Sequence, residues 1–359
     1  MKTTSPSLFI IICYQVLFLF TGLLQTLGTQ YLYYQKATSG ASFLTNLVQY
    51  IGMAAVGLLL LPNWLENRSR NVRENESSMK PREYINYKYI IAATLLDLIA
   101  NFAITIGFFY IGSGMYQVIY SSVVIWCAIL SFFLLGRKLS FIQSISIVGV
   151  SFGLALSALG INQSSEVTET LTIDDDNEEI EYFNLSRSMF GMILVSFATL
   201  GYACIYVFSD LILNMKTPYD MIPPSPETIC FLIGSFGTGF SMIYIIFYTI
   251  PNWDILITQE MAKLSQHDST FTIIFIYLLL IIVSFAHNLA YYWLMKHLGN
   301  VSTGLLNSVR AIVVFGLSHW FFCQLDSGQC FNIWKGLSAA VVVGFVTSFS
   351  LCSKSDDTK

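Results

Sequence analysis

The chain has 359 residues, only 11% of them charged, with a formal net charge of −4 and 55% of its residues in the apolar AVILMFWYC set. A soluble domain carries roughly 25% charged residues, so this composition excludes a soluble globule, a disordered chain and a secreted disulfide scaffold. The charge balance also argues against a nucleic-acid partner, and the sequence reads as an all-α polytopic membrane protein with the lipid bilayer as its surroundings.

A membrane-crossing helix needs about 20 mostly apolar residues. Ten such runs fall near 8–31, 42–61, 89–110, 114–135, 141–159, 188–211, 227–250, 271–295, 301–322 and 331–352. The first run exceeds a signal-peptide core of about 7–15 residues and no A-x-A site follows, so it reads as the first helix. The 62–88 connection carries Arg68, Arg70, Arg73, Lys80, Arg82 and Lys88. The 160–187 connection carries eight acidic residues between Glu166 and Glu181, with only Arg187 basic. With a cytosolic N-terminus, 13 of the 18 Lys and Arg residues fall on the cytosolic side, so the positive-inside rule predicts that both termini are cytosolic. The acidic connection then faces the lumen or exterior and reads as a solvated loop. Asn162 and Asn184, each opening an N-x-S sequon, fall on that same side. Before the seventh run, Ser225, Pro226 and Glu227 read as an N-cap, a first-turn proline and an acid favoured by the helix dipole.

Residues 101–137 align without a gap onto 288–324, with Asn101/Asn288, Ala103/Ala290, Gly112/Gly299, Ser121/Ser308, Ile125/Ile312, Leu130/Leu317 and Ser131/Ser318 identical. In apolar sequence, chance remains an alternative explanation. The fifth run carries Gly149, Gly153 and Ser157 and the tenth carries Ala340, Gly344 and Ser348, small residues at one spacing that permits close helix packing. Those faces also offer a route to a homodimer. The organisation predicted is a five-helix half over 1–159, an acidic linker over 160–187, a second five-helix half over 188–352 and a cytosolic tail over 353–359. An odd number of spans per half inverts the second half relative to the first.

An ionisable residue inside a span is costly and marks function by default. Asp97 and Arg310 each lie roughly 12–14 Å deep from the cytosolic side. At matching depth the two charges can neutralise each other, with a ligand anion competing for Arg310 and a proton for Asp97. A fixed ion pair, or an arginine satisfied by carbonyls, is the plainer alternative. Thr303, Asn307 and Arg310 form a polar stripe on one face of the ninth run, which predicts a cavity rather than lipid beside it. Gln117 and Tyr120 share a face of the fourth run and suit a base or sugar, or ordinary packing; Tyr116 suits an interfacial anchor. The candidate substrate-binding set is therefore Arg310, Asn307, Thr303, Gln117, Tyr120 and Asp97. Asn101 and Asn288 read as interhelical hydrogen-bond donors or cavity residues. His287 lies beside Asn288, and His319 lies at the outer end of the ninth run. Cys323 and Cys330 flank the outer 9–10 connection, where an oxidising compartment would allow a disulfide; two free thiols are the alternative. There is no C-x-x-C zinc spacing, phosphate loop, H-E-x-x-H or G-x-S-x-G, so neither metal, cofactor nor enzymatic activity is expected.

Asp97-Leu-Ile-Ala-Asn101, Tyr110-Ile-Gly-Ser-Gly-Met-Tyr-Gln117 and Phe132-Phe-Leu-Leu-Gly-Arg-Lys-Leu139 together resemble the drug/metabolite transporter superfamily, most of all the solute carrier family 35 branch, subfamily F, and EamA-type proteins. Tyr14-Gln15, Thr21-Gly22, Thr26-Leu27 and Asn307-Ser-Val-Arg-Ala311 fit the same resemblance, which covers nearly the whole chain. The second half departs from an EamA half in having Cys323-Gln324 where a Gly-Arg turn belongs. The resemblance implies ten helices in two inverted repeats, alternating access, and transport of nucleotide sugars or other organic metabolites across an endomembrane of the Golgi, endoplasmic reticulum, vacuole or lysosome. A vacuolar exporter of amino acids, peptides or drugs, like the chloroquine-resistance transporters, is the second reading. A membrane enzyme such as a lipid transferase would call for His and Asp clustered at one interface, whereas the four histidines are scattered; a receptor or scaffold without transport would need neither the polar stripe at 303–310 nor matched halves.

Overall fold

The computed structural model describes residues 6–62, 82–135, 140–142, 144–146, 148–150, 152–153, 156, 178–215, 217, 221–263, 269–326 and 329–356. The Gly136–Lys138 turn, Ser157, Asn162, Arg68 to Lys80 and the acidic residues from Glu166 to Asp176 lie outside the described residues.

The protein is all-α. Its helices are α1 (Leu8–Tyr34), α2 (Leu44–Ala55, prolonged by a 3-10 turn Val56–Leu59), α3 (Tyr87–Tyr120), α4 (Val123–Leu135), α5 (Glu178–Leu213), α6 (Pro226–Tyr244, prolonged by a π turn Ile245–Thr249), α7 (Thr270–Phe322) and α8 (Ile333–Asp356). Described residues between 141 and 156 are also helical. Among the described residues, five segments are long and apolar enough to cross a membrane: Leu8–Tyr34, Tyr87–Tyr120, Arg187–Leu213, Pro226–Thr249 and Thr270–Asn300. Local sequence sets several ends. Ser7 Oγ accepts from the Ile10 N–H at the start of α1, and Ser225 Oγ accepts from the Thr228 N–H, with Pro226 opening α6 and Glu227 in its first turn.

The separations expected between the third and fourth runs and between the eighth and ninth runs are present as backbone breaks inside α3 and α7. Each helix is interrupted at one glycine: Gly112 (φ 71°, ψ 175°) and Gly299 (φ 79°, ψ 174°). That region is essentially closed to residues with a Cβ, so glycine stands at each turn of the chain. A second break divides the fourth run at Ser121 and Ser122, whose hydroxyls fold back onto the Val118 and Ile119 carbonyls. α5 begins at Glu178, so the end of the expected 160–187 loop is helical, with acids where the helix dipole favours them. α8 likewise runs on to Asp356, into the expected tail.

The surface is apolar and the interior holds the polar groups, the arrangement suited to lipid. Phe9, Phe20, Phe133, Phe247, Phe271 and Trp320 are exposed, whereas Asp97, Asn101, Gln117, Thr199, Asn307 and Arg310 are buried. α1 packs on α7, α5 on α3, and α2 on α6 and α7. α3 and α5 meet at Gly107 and Gly191: a Cβ on Gly107 would lie 2.8 Å from the Gly191 carbonyl oxygen, so only glycine permits this approach. Gly149 and Gly153 pack on Val342 and Phe345 of α8, and Ser338 Oγ donates to the Gly153 carbonyl (2.7 Å). Ala340, Gly344 and Ser348 lie on the exposed side of α8 instead.

Connections at each end of the bundle are tied together. At one end, β1 (Arg82–Glu83) pairs in parallel with β2 (Met221–Ile222). At the other, Cys323 and Cys330 are joined in a disulfide (Cα–Cα 4.4 Å). The loop they close sends Gln329 into the break at Gly112, where its amide lies within hydrogen-bonding distance of the Ile111 carbonyl and the Gly114 N–H. Asp326 of the same loop accepts the Tyr34 hydroxyl of α1 (2.8 Å). His319 Nδ1 accepts the Phe331 N–H (2.9 Å).

Candidate functional site

A central cavity opens between α1, α2, α3, α5 and α7. It encloses about 1130 Å³ of space free of atoms, part of it continuous with solvent. Polar residues, several of them spaced three or four apart on largely apolar helices, build its walls. They include Asn46 and Tyr50's neighbour Gln49 on α2, Asp97, Asn101 and Thr105 on α3, Tyr202 and Tyr206 on α5, and Asn307 on α7. At 3.6 residues per turn this spacing puts such groups on one face.

Arg310 is the cavity's one arginine. Its side chain is buried, its Cζ lies 5.9 Å from the ring centroids of both Phe18 and Tyr120, and its Nε has no hydrogen-bond partner among the described residues. Aromatic faces at that distance attract the cation without neutralising it. Gly22 of α1 makes the room: a Cβ there would lie 2.8 Å from Arg310 Cδ and would also meet Nη1. His287 lies at the same place. Its Nδ1 is 3.2 Å from both the Phe18 carbonyl oxygen and the Thr21 hydroxyl oxygen.

Asp97 also lines the cavity. The Tyr50 hydroxyl donates to Asp97 Oδ2 (2.7 Å), Asn101 Nδ2 donates to the Tyr50 hydroxyl (3.0 Å) and to the Asp97 carbonyl (3.0 Å), and the Tyr202 hydroxyl donates to Asn101 Oδ1 (2.6 Å). The Asp97–Arg310 neutralisation that matching depth suggests is not made. The ion pairs among the described residues are Lys36–Glu260 and Lys263–Glu260, and Asp97 turns its carboxyl toward Tyr50 while Arg310 lies against Phe18 and Tyr120.

Of the six candidates, Asp97, Tyr120, Asn307 and Arg310 line the cavity. Asn307 Nδ2 donates to the Tyr206 hydroxyl (2.9 Å) and its buried Oδ1 has no partner among the described residues. Tyr120 stacks on Tyr116 and meets Tyr202 edge-on at 5.4 Å. Thr303 and Gln117 are buried away from the lining. Thr303 Oγ1 donates to the Gly299 carbonyl (2.9 Å) and Gln117 Nε2 to the Asn307 carbonyl (3.4 Å). Asn101 and Asn288 both reach the cavity wall, and Asn288 Nδ2 donates to the Ser284 carbonyl (2.9 Å). The wall residues not singled out from sequence are mainly tyrosines and the α1–α2 groups Gln25, Asn46 and Gln49.

No family model matches the chain, and no curated protein matches it. A solved structure described as "Crystal structure of protein" superposes with a TM-score of 0.52 at 11% identity, covering 95% of this chain and 99% of that one. At that identity the likeness concerns the fold alone, and it extends over the whole chain. The chemistry therefore rests on the side chains. The cavity offers one cation whose Nε donor is unused among the described residues, one carboxyl held by neutral groups, and a wall of phenols and amides able to stack on or hydrogen-bond an organic solute.

Proposed function

We propose that the protein is a secondary transporter of the drug/metabolite transporter type, similar to solute carrier family 35 subfamily F, moving an organic anion such as a nucleotide sugar across an endomembrane by alternating access. The observation that carries this reading is Arg310, a buried guanidinium facing a central aromatic cavity with no carboxylate of the described residues paired with it. A charge left so in an apolar interior is costly unless a ligand completes it. A phosphate fits that requirement, with tyrosines for the base and amides for the sugar.

The reading includes ten spans in two inverted halves, and several contacts support it. Gly112 and Gly299, paired in the internal alignment, share one rare backbone conformation. Exchanging the halves converts the α1–α7 contact into the α5–α3 contact, and α2–α7 into α6–α3; all four are made. The second and seventh runs contact each other, as do the fifth and tenth.

Uptake of a panel of labelled nucleotide sugars into proteoliposomes tests the function. Replacing Arg310 with Ala is expected to reduce uptake at least about tenfold, since a charge-assisted hydrogen bond is worth about 1.5–3 kcal/mol. Wild-type uptake by a folded Arg310→Ala variant would remove Arg310 from the substrate path. One observation favours a second reading: an acid and a base in one cavity suit a zwitterion, so export of amino acids or peptides belongs in the same panel.

A further inference from the structure

The cavity holds two charged side chains that are not joined to each other, and the anion reading uses only one of them. An anion drawn to Arg310 brings a second negative group into the space where Asp97 already stands. In a low-dielectric interior like charges disfavour one another strongly, and a proton on the carboxyl removes that cost.

The hydrogen bonds around Asp97 permit that proton. Asn101 Nδ2 also touches the Asp97 carbonyl oxygen, an acceptor only, which fixes the orientation of the amide. Its second contact therefore donates to the Tyr50 oxygen, leaving the Tyr50 hydrogen for Asp97 Oδ2. With Tyr202 donating to Asn101 Oδ1, donors on α5, α3 and α2 all run toward one carboxyl oxygen. Oδ2 thus accepts in either protonation state. A proton arriving from the cavity occupies Oδ1, and none of these bonds need break.

The other titratable groups facing Asp97 are Tyr50 of α2, Tyr202 of α5 and Tyr292 of α7, with Cys230 of α6 behind Tyr292. Phenols and thiols in an apolar interior do not gain charge near neutral pH. Arg310 and His287 lie elsewhere on the wall. A proton on His287 would add positive charge beside an uncompensated guanidinium, so Asp97 is the better acceptor.

We propose that Asp97 is the coupling-proton site of this carrier: binding of an organic anion at Arg310 is accompanied by protonation of Asp97, and anion and proton cross together. The inference rests on the anion-transport reading. Linkage makes the effect reciprocal, so anion affinity rises as pH falls, by up to about tenfold per pH unit for one proton.

Calorimetry on the purified full chain tests it, with UDP-N-acetylglucosamine, GDP-mannose, UDP, citrate and inorganic phosphate as probes. Titrations from pH 5.5 to 8 in paired buffers of different ionisation enthalpy report the protons taken up on binding. The expected result is net proton uptake by the wild type, the same uptake by His287→Gln, and binding without uptake by Asp97→Asn. Anion binding by the wild type with no proton uptake, as a zwitterion-selective site would give, overturns the proposal and leaves the transport reading standing. So does uptake that persists in Asp97→Asn. Failure of every probe to bind the wild type overturns the anion reading and the proposal with it. Should Asp97→Asn not fold, the infrared difference spectrum of the wild type decides: a carboxylic-acid C=O band appearing on anion binding supports protonation, and its absence refutes it.

Discussion

Arg310 occupies its place because Gly22 leaves room for it. The missing side chain on α1 lets the guanidinium lie between Phe18 and Tyr120, and any Cβ at that position meets Arg310 Cδ and Nη1. Gly22→Ala is accordingly expected to displace the cation and raise the KM for the transported anion about tenfold, with a stability loss of about 1–3 kcal/mol at most, the usual cost of overpacking. Uptake kinetics and thermal melting of the same preparation check this, and an unchanged KM would mean that Arg310 has no fixed position to lose. This dependence was not legible in the sequence, where Gly22 is one small residue in an apolar run. Arg310, Asn307, Tyr120 and Asp97 were legible, because a polar group in a span stands out against its neighbours. Gln117 and Thr303 stand out equally, yet they bond to the Asn307 and Gly299 carbonyls and not to the cavity. Polarity marks a group that needs a partner and is silent on whether the partner is backbone or ligand. The pair Tyr202 and Tyr206 carried a usable signal, polar tips four residues apart, but tyrosine is equally common at membrane interfaces and so loses its contrast.

The helix breaks at Gly112 and Gly299 share dihedrals but not surroundings. Around Gly112 a Cβ would strike the buried Gln329 side chain, with Gln329 Cδ 2.5 Å away, while around Gly299 nothing lies within 4 Å. Alanine at either site carries the backbone cost of a glycine-only conformation, about 1–3 kcal/mol. Gly112→Ala adds the displacement of Gln329 from the Ile111 carbonyl and Gly114 N–H. The melting temperature should therefore fall in both variants and further in Gly112→Ala; equal losses would show that the Gln329 contact contributes nothing. At this scale the sequence was informative about where helices lie and less so about where they end. Apolar runs located α1, α2, α6 and α7 well, since lipid demands length and hydropathy. The break at Ser121 and Ser122 and the early start of α5 at Glu178 depend on local backbone bonding that hydropathy does not report.

The alternation of the connections provides a test for the molecule as a whole. Connections predicted on the cytosolic side meet each other, as in the pairing of Arg82 and Glu83 with Met221 and Ile222. Those predicted on the far side also meet: Tyr34 with Asp326, Lys36 with Glu260, and Ile111 with Gln329. Ten spans make an even number of crossings, for which the charge asymmetry predicts both termini in the cytosol. Epitope tags at the two termini should both be cut by protease added to sealed vesicles with the cytosolic face outward. A tag inserted between residues 160 and 177 should survive until the membrane is opened. A terminus protected on its own would mean an odd number of crossings. The second half could not then be the inversion of the first, and the shared geometry of Gly112 and Gly299 would need a cause other than repetition.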